Sequence, residues 1–253
     1  MSRVVCWFSC GAASAVATKL ALSQYAGRDI VIARCIVREE HPDNERFAAD
    51  CEKWFGMPIT NLIAEKFDGS IYNVFEKRKY LSGIAGAPCT LELKKRVRES
   101  FELPTDTHVF GYCAEEQSRW DHFLDANNIN AVSPLIERGL EHSDCLAMVR
   151  NAGINLPVMY ELGYHHNNCI GCVKAGGQGY WNKILKDFPV QFYRMSETSR
   201  RIGARLLMDN GTHKFLDELT IGAGDYQNEP EVQCGIFCHM AQSEITANKA
   251  LGA

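Results

Sequence analysis

The feature that most constrains this chain is an alternation, across its first 112 residues, of short apolar runs rich in strand formers with segments of helical periodicity. Val4-Val5-Cys6-Trp7-Phe8 reads as a strand. The small-residue stretch Ser9-Cys10-Gly11-Ala12-Ala13-Ser14 then turns the chain into the alanine-rich Ala15-Val16-Ala17-Thr18-Lys19-Leu20-Ala21-Leu22. A second buried strand is expected from Ile30 to Val37, and Asp43 to Phe55 sets Phe47, Cys51, Trp54 and Phe55 at helical spacing before the stop signals Gly56 and Pro58. Ile59 to Ile63 and Thr107 to Tyr112 supply a third and fourth strand, with helices from Ile71 to Tyr80 and from Leu91 to Phe101 between them. Such alternation implies an α/β fold: a three-layer arrangement of a largely parallel sheet with helices on both faces, ligands lying at the carboxyl ends of the strands. The loops after Phe8, Val37 and Tyr112 are the first places for a site.

From Val132-Ser133-Pro134-Leu135 onward the pattern changes to helical segments and turn clusters, and Gly163 to Gly179 is a long loop dense in His, Asn, Cys and Gly. Loops of that length in compact domains are usually functional or mobile. The expected organisation is a nucleotide-binding domain over 1–160 with a cysteine-rich helical and loop-rich extension over 161–253. A net charge of −4 provides no general basic field, which argues against tight sequence-independent nucleic-acid binding by bulk charge and leaves a local basic patch open. No apolar run approaches the ~20 residues of a membrane span, and the first strand runs straight into a glycine turn rather than a signal-peptide cleavage site. A cytoplasmic protein without membrane contact is expected.

Eleven cysteines are many for a reducing compartment, where clustered thiols point to metal binding or catalysis. Cys6, Cys35, Cys51, Cys113 and Cys145 stand alone in apolar or helical surroundings and read as small buried hydrophobes. Cys169-Ile170-Gly171-Cys172 sits in the glycine-rich loop, and Cys234 and Cys238 form a second pair. Two chelating thiolate pairs suit tetrahedral zinc or an iron–sulfur cluster. Cys234 and Cys238, one helical turn apart, would equally pack as hydrophobes.

Four further segments carry polar groups toward the same strand ends. Ser9 to Ser14 offers backbone N–H groups and two hydroxyls at a helix N-terminus, which is a phosphate site in physical terms or simply a turn that binds nothing. It lacks the lysine of the longer P-loop. Glu39-Glu40-His41-Pro42-Asp43-Asn44-Glu45 gathers carboxylates where a ribose or a metal could be held, although Asp43 also suits a helix cap. Pro88-Cys89-Thr90-Leu91-Glu92-Leu93-Lys94-Lys95 puts a thiol near a helix N-terminus, with Lys94 available to a phosphate or to solvent. In Gly111-Tyr112-Cys113-Ala114-Glu115-Glu116-Gln117-Ser118-Arg119, the arginine suits bidentate recognition of phosphate or sulfate, or pairing with Glu115 or Glu116 one turn away.

These segments together resemble the phosphoadenosine-phosphosulfate reductase family of the PP-loop superfamily, from about Val4 to Cys172. Ser9 to Ser14 looks like the family's Ser-Gly-Gly-x-Asp-Ser loop, with Cys10 where glycine is common and Ala13 where ATP-pyrophosphatase members carry an Mg²⁺-associated aspartate. Pro88 to Lys95 resembles the Cys-Thr-x-x-Leu-Lys element beside the phosphate or sulfate end. Gly111 to Arg119 resembles a substrate-facing stretch, and Pro157 to Tyr164 resembles the element that precedes a downstream Cys-x-x-Cys. The resemblance implies an adenine nucleotide alpha hydrolase-like fold, with nucleotide contacts from Ser9, Gly11, Ala12, Ser14, Glu40, Asp43 and Gly111 and catalytic roles for Cys89, Lys94 and Arg119. It also implies a [4Fe–4S] cluster, or zinc in its place, drawn from Cys89, Cys169, Cys172, Cys234 and Cys238, with Mg²⁺ as a further companion of the nucleotide.

The expected activity is adenine-nucleotide-dependent sulfur chemistry like that of a sulfonucleotide reductase, in which Cys234 or Cys238 would serve turnover instead of metal. The alternatives are an ATP-dependent thiolation enzyme acting on nucleic acid and a non-catalytic nucleotide-binding module, the latter motivated by Cys10 and Ala13. Partners on these readings are ATP or an adenylyl sulfate, a thiol reductant or a nucleic-acid acceptor, and a second copy of the chain in a homodimer.

Overall fold

The structure is a computed structural model that describes residues 2–83, 86–209 and 211–229. In chain order its strands and helices are β1 (Val4–Trp7), α1 (Ala12–Gln24), β2 (Ile30–Cys35), α2 (Asn44–Phe55), β3 (Ile59–Leu62), α3 (Ile71–Arg78) and α4 (Pro88–Thr90). A π-helical turn, Leu91–Lys95, leads into α5 (Arg96–Phe101), β4 (Thr107–Val109), α6 (Gln117–Ala126), β5 (Ala131–Val132) and α7 (His142–Asn151). The last elements are α8 (Val158–Glu161), α9 (Gln178–Asp187), α10 (Pro189–Ile202), β6 (Leu207–Asp209) and β7 (Thr212–Lys214). Two compact units result: one runs up to Ile36 and then takes in His41–Ile63 and Val97–Asn167, while the other holds Val37–Glu40, Ala64–Arg96 and the chain from Asn168 onward. The expected domain limit at 160 thus lies near the 167/168 division, and residues 64–96 group with the later part of the chain.

The first unit is the expected α/β fold, a five-stranded parallel sheet in the order β3-β2-β1-β4-β5. All four residues of β1 are buried, as a central strand covered on both faces requires. Its side chains alternate between two cores. Val4, Cys6 and Phe8 join Val16 of α1, Phe47 and Cys51 of α2, and Cys145 and Val149 of α7. Toward the other face Trp7 stacks on His108 and meets Phe101 edge-on, while Phe110 and Tyr112 pack on Phe123 and Trp120 of α6 at 5.2 and 5.1 Å between ring centroids. Right-handed crossovers explain the division: β1 to β2 and β4 to β5 step in opposite directions, so α1 and α6 cover opposite faces.

The strands are shorter at their ends than the sequence suggests, β2 closing at Cys35 and β4 at Val109. The two-residue β5 and the β6–β7 hairpin carry no run long enough to announce them. In the second unit the N-terminus of α9 is covered by the Glu229 carboxylate, which accepts the N–H groups of Gly179 at 2.6 Å and Tyr180 at 2.8 Å. Among the described residues no helix is long and apolar enough to cross a membrane.

The isolated cysteines behave as expected of buried hydrophobes. Cys6, Cys51, Cys113 and Cys145 are buried and Cys35 is partly so. Burial pushes the Cys6 and Cys51 thiols up to about 12, and a hydrogen bond with Cys145 raises that of Cys113.

His108, also buried, accepts the Trp7 indole N–H at Nδ1 over 3.1 Å, and desolvation holds its pKa down to about 4. Between the ordinary value near 6.5 and about 4 the unfolded chain therefore binds a proton that the folded chain refuses. His108 is expected to remove up to roughly 3 kcal/mol of stability as pH falls through that window and nothing above it. Urea denaturation at pH 7 and pH 4 checks this: His108→Gln, which retains an acceptor for Trp7, should lose a smaller fraction of its stability than the wild type.

Candidate nucleotide loop and thiol segment

The strand order reverses beside β1, with β2 on one side and β4 on the other, so the loops after β1 and β4 flank the switch point where such sheets receive ligands. There α1 begins without a capping side chain: Gly11 is extended (φ −99°, ψ 157°), and the first turn holds no acidic residue. The helix dipole and first-turn N–H groups thus face the loop with no carboxylate of the chain's own first turn against them. Ser14 Oγ accepts the Ser9 N–H at 3.1 Å and donates to the Gly11 carbonyl at 2.9 Å, and Ser9 Oγ lies 3.2 Å from it. Both hydroxyls therefore hold the loop's shape.

Cys10 has φ +58°. A non-glycine residue in that left-handed region costs about 1 kcal/mol or more, so the backbone here is one that glycine would meet without strain. Its side chain is fully buried, with Sγ 3.7 Å from the Asn44 carbonyl. Gly111 belongs to the loop for a different reason. A Cβ there would lie 2.7 Å from the Ser14 amide nitrogen and 2.8 Å from the Ala13 carbonyl carbon. Ser9, Gly11, Ala12, Ser14 and Gly111 are thus brought together.

The acidic segment 39–45 does not form a shared ligand set; each of four carboxylates has its own partner. Glu39 accepts Ser70 Oγ at 2.6 Å and the Ile71 N–H at 2.9 Å, capping α3. Glu40 pairs with Lys94 at 3.2 Å, both side chains being buried, and Glu45 pairs with Arg34 at 2.9 Å. Asp43 is not the cap that its position suggests: it lies in helical backbone with no capping bond. Its carboxylate instead takes the Arg46 guanidinium at 2.6 and 2.7 Å and the Val158 N–H at 3.0 Å. The Arg46 bond holds its pKa below the usual range.

Arg119 forms an ion pair with Glu116 and lies 5.1 Å over the Tyr112 ring, the pairing that one-turn spacing allowed. Glu116 also accepts the Cys113 N–H at 3.1 Å. In the same unit the segment around Tyr160 approaches the loop. Tyr160 Oη lies 3.4 Å from where a Gly11 Cβ would stand and 3.5 Å from His142 Nε2, and Asn167 Nδ2 donates to the Cys10 carbonyl at 2.7 Å. Tyr160 and Asn167 were visible in the sequence only as neighbours of the Cys-x-x-Cys, and His142 gave no signal.

In the second unit Cys89 is partly buried at the start of α4, followed by Thr90, whose Oγ1 is buried without a hydrogen-bond partner. The π-helical turn that follows carries Lys94 to Glu40; such turns often mark functional sites. Cys169 and Cys172 are buried around Gly171, whose φ of +72° makes the tight turn, and the Cys172 N–H donates to Tyr180 Oη at 2.7 Å. Among the described residues no group of three or more His, Cys, Asp or Glu could hold a metal ion. Cys89, Cys169 and Cys172 therefore do not by themselves fit a cluster or a zinc ion; Cys234 and Cys238 lie outside the described residues.

No family model matches the chain, and no curated protein does. Among solved structures the chain is similar to a predicted subunit of tRNA methyltransferase from Methanocaldococcus jannaschii, at 16% identity over 61% of this chain and 90% of that one, with a TM-score of 0.33. It is also similar to the U34-tRNA thiolase NcsA from Methanococcus maripaludis, solved with its [4Fe–4S] cluster, at 14% identity over 93% of this chain and 80% of that one, with a TM-score of 0.44.

Because the backbone of the β4 loop meets α1 at Gly111, Gly111→Ala must push the first turn of α1 away. It is expected to cost about 1–3 kcal/mol of stability and to weaken anion binding at the loop. Thermal melting with and without added nucleotide checks both effects.

Proposed function

We propose that this chain is a PP-loop enzyme that binds an adenine nucleotide at Ser9–Ser14 and uses it for sulfur chemistry, transferring sulfur to a nucleic-acid acceptor at the expense of ATP. The observation that carries this reading is the first turn of α1, placed at the switch point with no capping side chain and no carboxylate. In the reaction a base carbonyl oxygen attacks the α-phosphorus of ATP and pyrophosphate leaves. A hydrosulfide then displaces AMP at the activated carbon and loses its proton to leave the thiocarbonyl, so the original oxygen departs on AMP; where the sulfur arrives as a cysteine persulfide, a second thiol opens the S–S bond of the adduct, leaving the thiocarbonyl and a protein disulfide that an external dithiol reduces. The loop would hold the phosphates, and Arg119 of the same unit would meet the anionic end. Cys89, Cys169 and Cys172, all in the second unit, would carry the sulfur.

A second reading, sulfonucleotide reduction, is favoured by Ala13: the first turn of α1 has no carboxylate to bring Mg²⁺ to ATP. There a thiolate attacks the sulfur of an adenylyl sulfate and the nucleotide phosphate leaves. A second thiol then releases sulfite and a disulfide forms, to be reduced by an external dithiol.

Turnover separates the two readings. Release of AMP and pyrophosphate that depends on RNA and sulfide is expected from the wild type; sulfite from adenylyl sulfate and a dithiol would support reduction instead. Nucleotide binding without either product would leave a binding module, and no affinity for any adenine nucleotide overturns the reading. Arg119→Ala should lower substrate affinity about tenfold, the worth of a charge-assisted contact. Lys94 is best tested as Lys94→Met with Glu40→Gln, since removing one member of a buried pair costs roughly 3–5 kcal/mol of stability by itself.

A further inference from the structure

The N-terminus of α1 is approached by three side chains to which neither loop nor thiol chemistry assigns a role. The Tyr160 hydroxyl lies against Gly11 and accepts the backbone N–H groups of Ala12 and Asn167. A phenol oxygen that accepts two such bonds still has its own proton to donate. Burial holds that proton firmly, pushing the pKa up to about 12. His142 Nε2 stands 3.5 Å from the hydroxyl, and the His166 ring follows 5.3 Å from that of His142.

Asn167 supplies the independent observation. Its Nδ2 donates to the Cys10 carbonyl and to Asn44 Oδ1, each at 2.7 Å. Exchanging its nitrogen and oxygen would set an acceptor against the Cys10 carbonyl, so the orientation follows from the bonding. Its Oδ1 is then left beside the loop with no hydrogen-bond partner, although the residue is only 9% exposed. Buried acceptors in native structures are nearly always filled, and an unfilled one beside an anion-binding helix end calls for a ligand that brings a donor.

We propose that Tyr160, His142 and Asn167 complete the nucleotide site of the first unit: the Tyr160 hydroxyl and the His142 imidazole donate to phosphate oxygens at the start of α1, and Asn167 Oδ1 accepts an N–H or O–H of the nucleoside. The proposal rests on the nucleotide reading of Ser9–Ser14. That loop contains no cation, and its two hydroxyls are shared within it, so side-chain donors to a phosphate must come from another segment. The ligand class follows from the mixture of groups. Pyrophosphate offers mainly acceptors at neutral pH and leaves Asn167 unfilled, whereas a nucleotide offers an anionic end and hydroxyl or amine donors together.

Calorimetry with ATP, adenosine and pyrophosphate tests this on the full chain. Tyr160→Phe and His142→Gln are expected to lower the affinity for ATP and pyrophosphate about tenfold and to leave adenosine unchanged. Asn167→Ser should lower ATP and adenosine but not pyrophosphate; melting curves establish that each variant folds, and the nearly isosteric Tyr160→Phe carries the test should Asn167→Ser unfold. If the wild type binds ATP and Tyr160→Phe and His142→Gln bind all three ligands equally well, the proposal is overturned while the nucleotide reading stands. An equal loss for adenosine in Tyr160→Phe would make its role structural and overturn it too. No binding by the wild type overturns both.

Discussion

The approach of the β4 loop to the first turn of α1 is the constraint on which the first unit depends. With Gly111 against Ser14, two strands that lead away from the switch point in opposite directions keep their loops in backbone contact. Any side chain at Gly111 would separate them. The small residues of α1 serve the same end, since Ala12, Ala15 and Ala17 let the helix settle on the sheet among Val4, Cys6 and Val109. The result is a helix end held by packing, with no side chain at its N-cap residue, no acidic residue in its first turn and its Ala12 N–H directed to the Tyr160 hydroxyl.

Charge is largely neutralised within the segment 39–45. Four carboxylates in seven residues would, left open, repel one another and any nearby anion. Here every one of those carboxylates is committed: Glu39 to the start of α3, Glu40 to Lys94, Asp43 to Arg46 and Glu45 to Arg34. The acidic run thus contributes to folding within each unit while little of its charge is left uncompensated.

Much of the fold was legible because its signals are local. Alternating runs and glycine stops placed β1 to β4 and the longer helices between them, whereas the helix expected from Leu91 leaves out the short α4 over Pro88–Thr90. The elements that escaped were those with too few residues to show a period, β5 and the β6–β7 hairpin. Site roles were legible only where chemistry and sequence spacing coincide. Arg119 with Glu116 was foreseen as one of two outcomes because three residues separate them. Asp43 was misjudged as a cap because nothing local distinguishes a capping carboxylate from one claimed by an arginine a turn later. The position of Tyr160 over Gly11 depends on how distant segments pack, which no window of sequence records, and Gly111 reads as a turn glycine when its reason is proximity to another backbone.

The Glu229 carboxylate on α9 has a consequence for stoichiometry. The chain has two helix starts in glycine-rich surroundings, Cys10-Gly11 before α1 and Gly176-Gly177 before α9, and by composition either would pass for an anion receptor. At α9 the two amides that would greet an anion already hold a carboxylate supplied by the chain itself, with the Cβ-less Gly177 making room for it. One vacancy is thereby closed from within, and of these two helix starts only the one before α1 is left to count in a saturation curve.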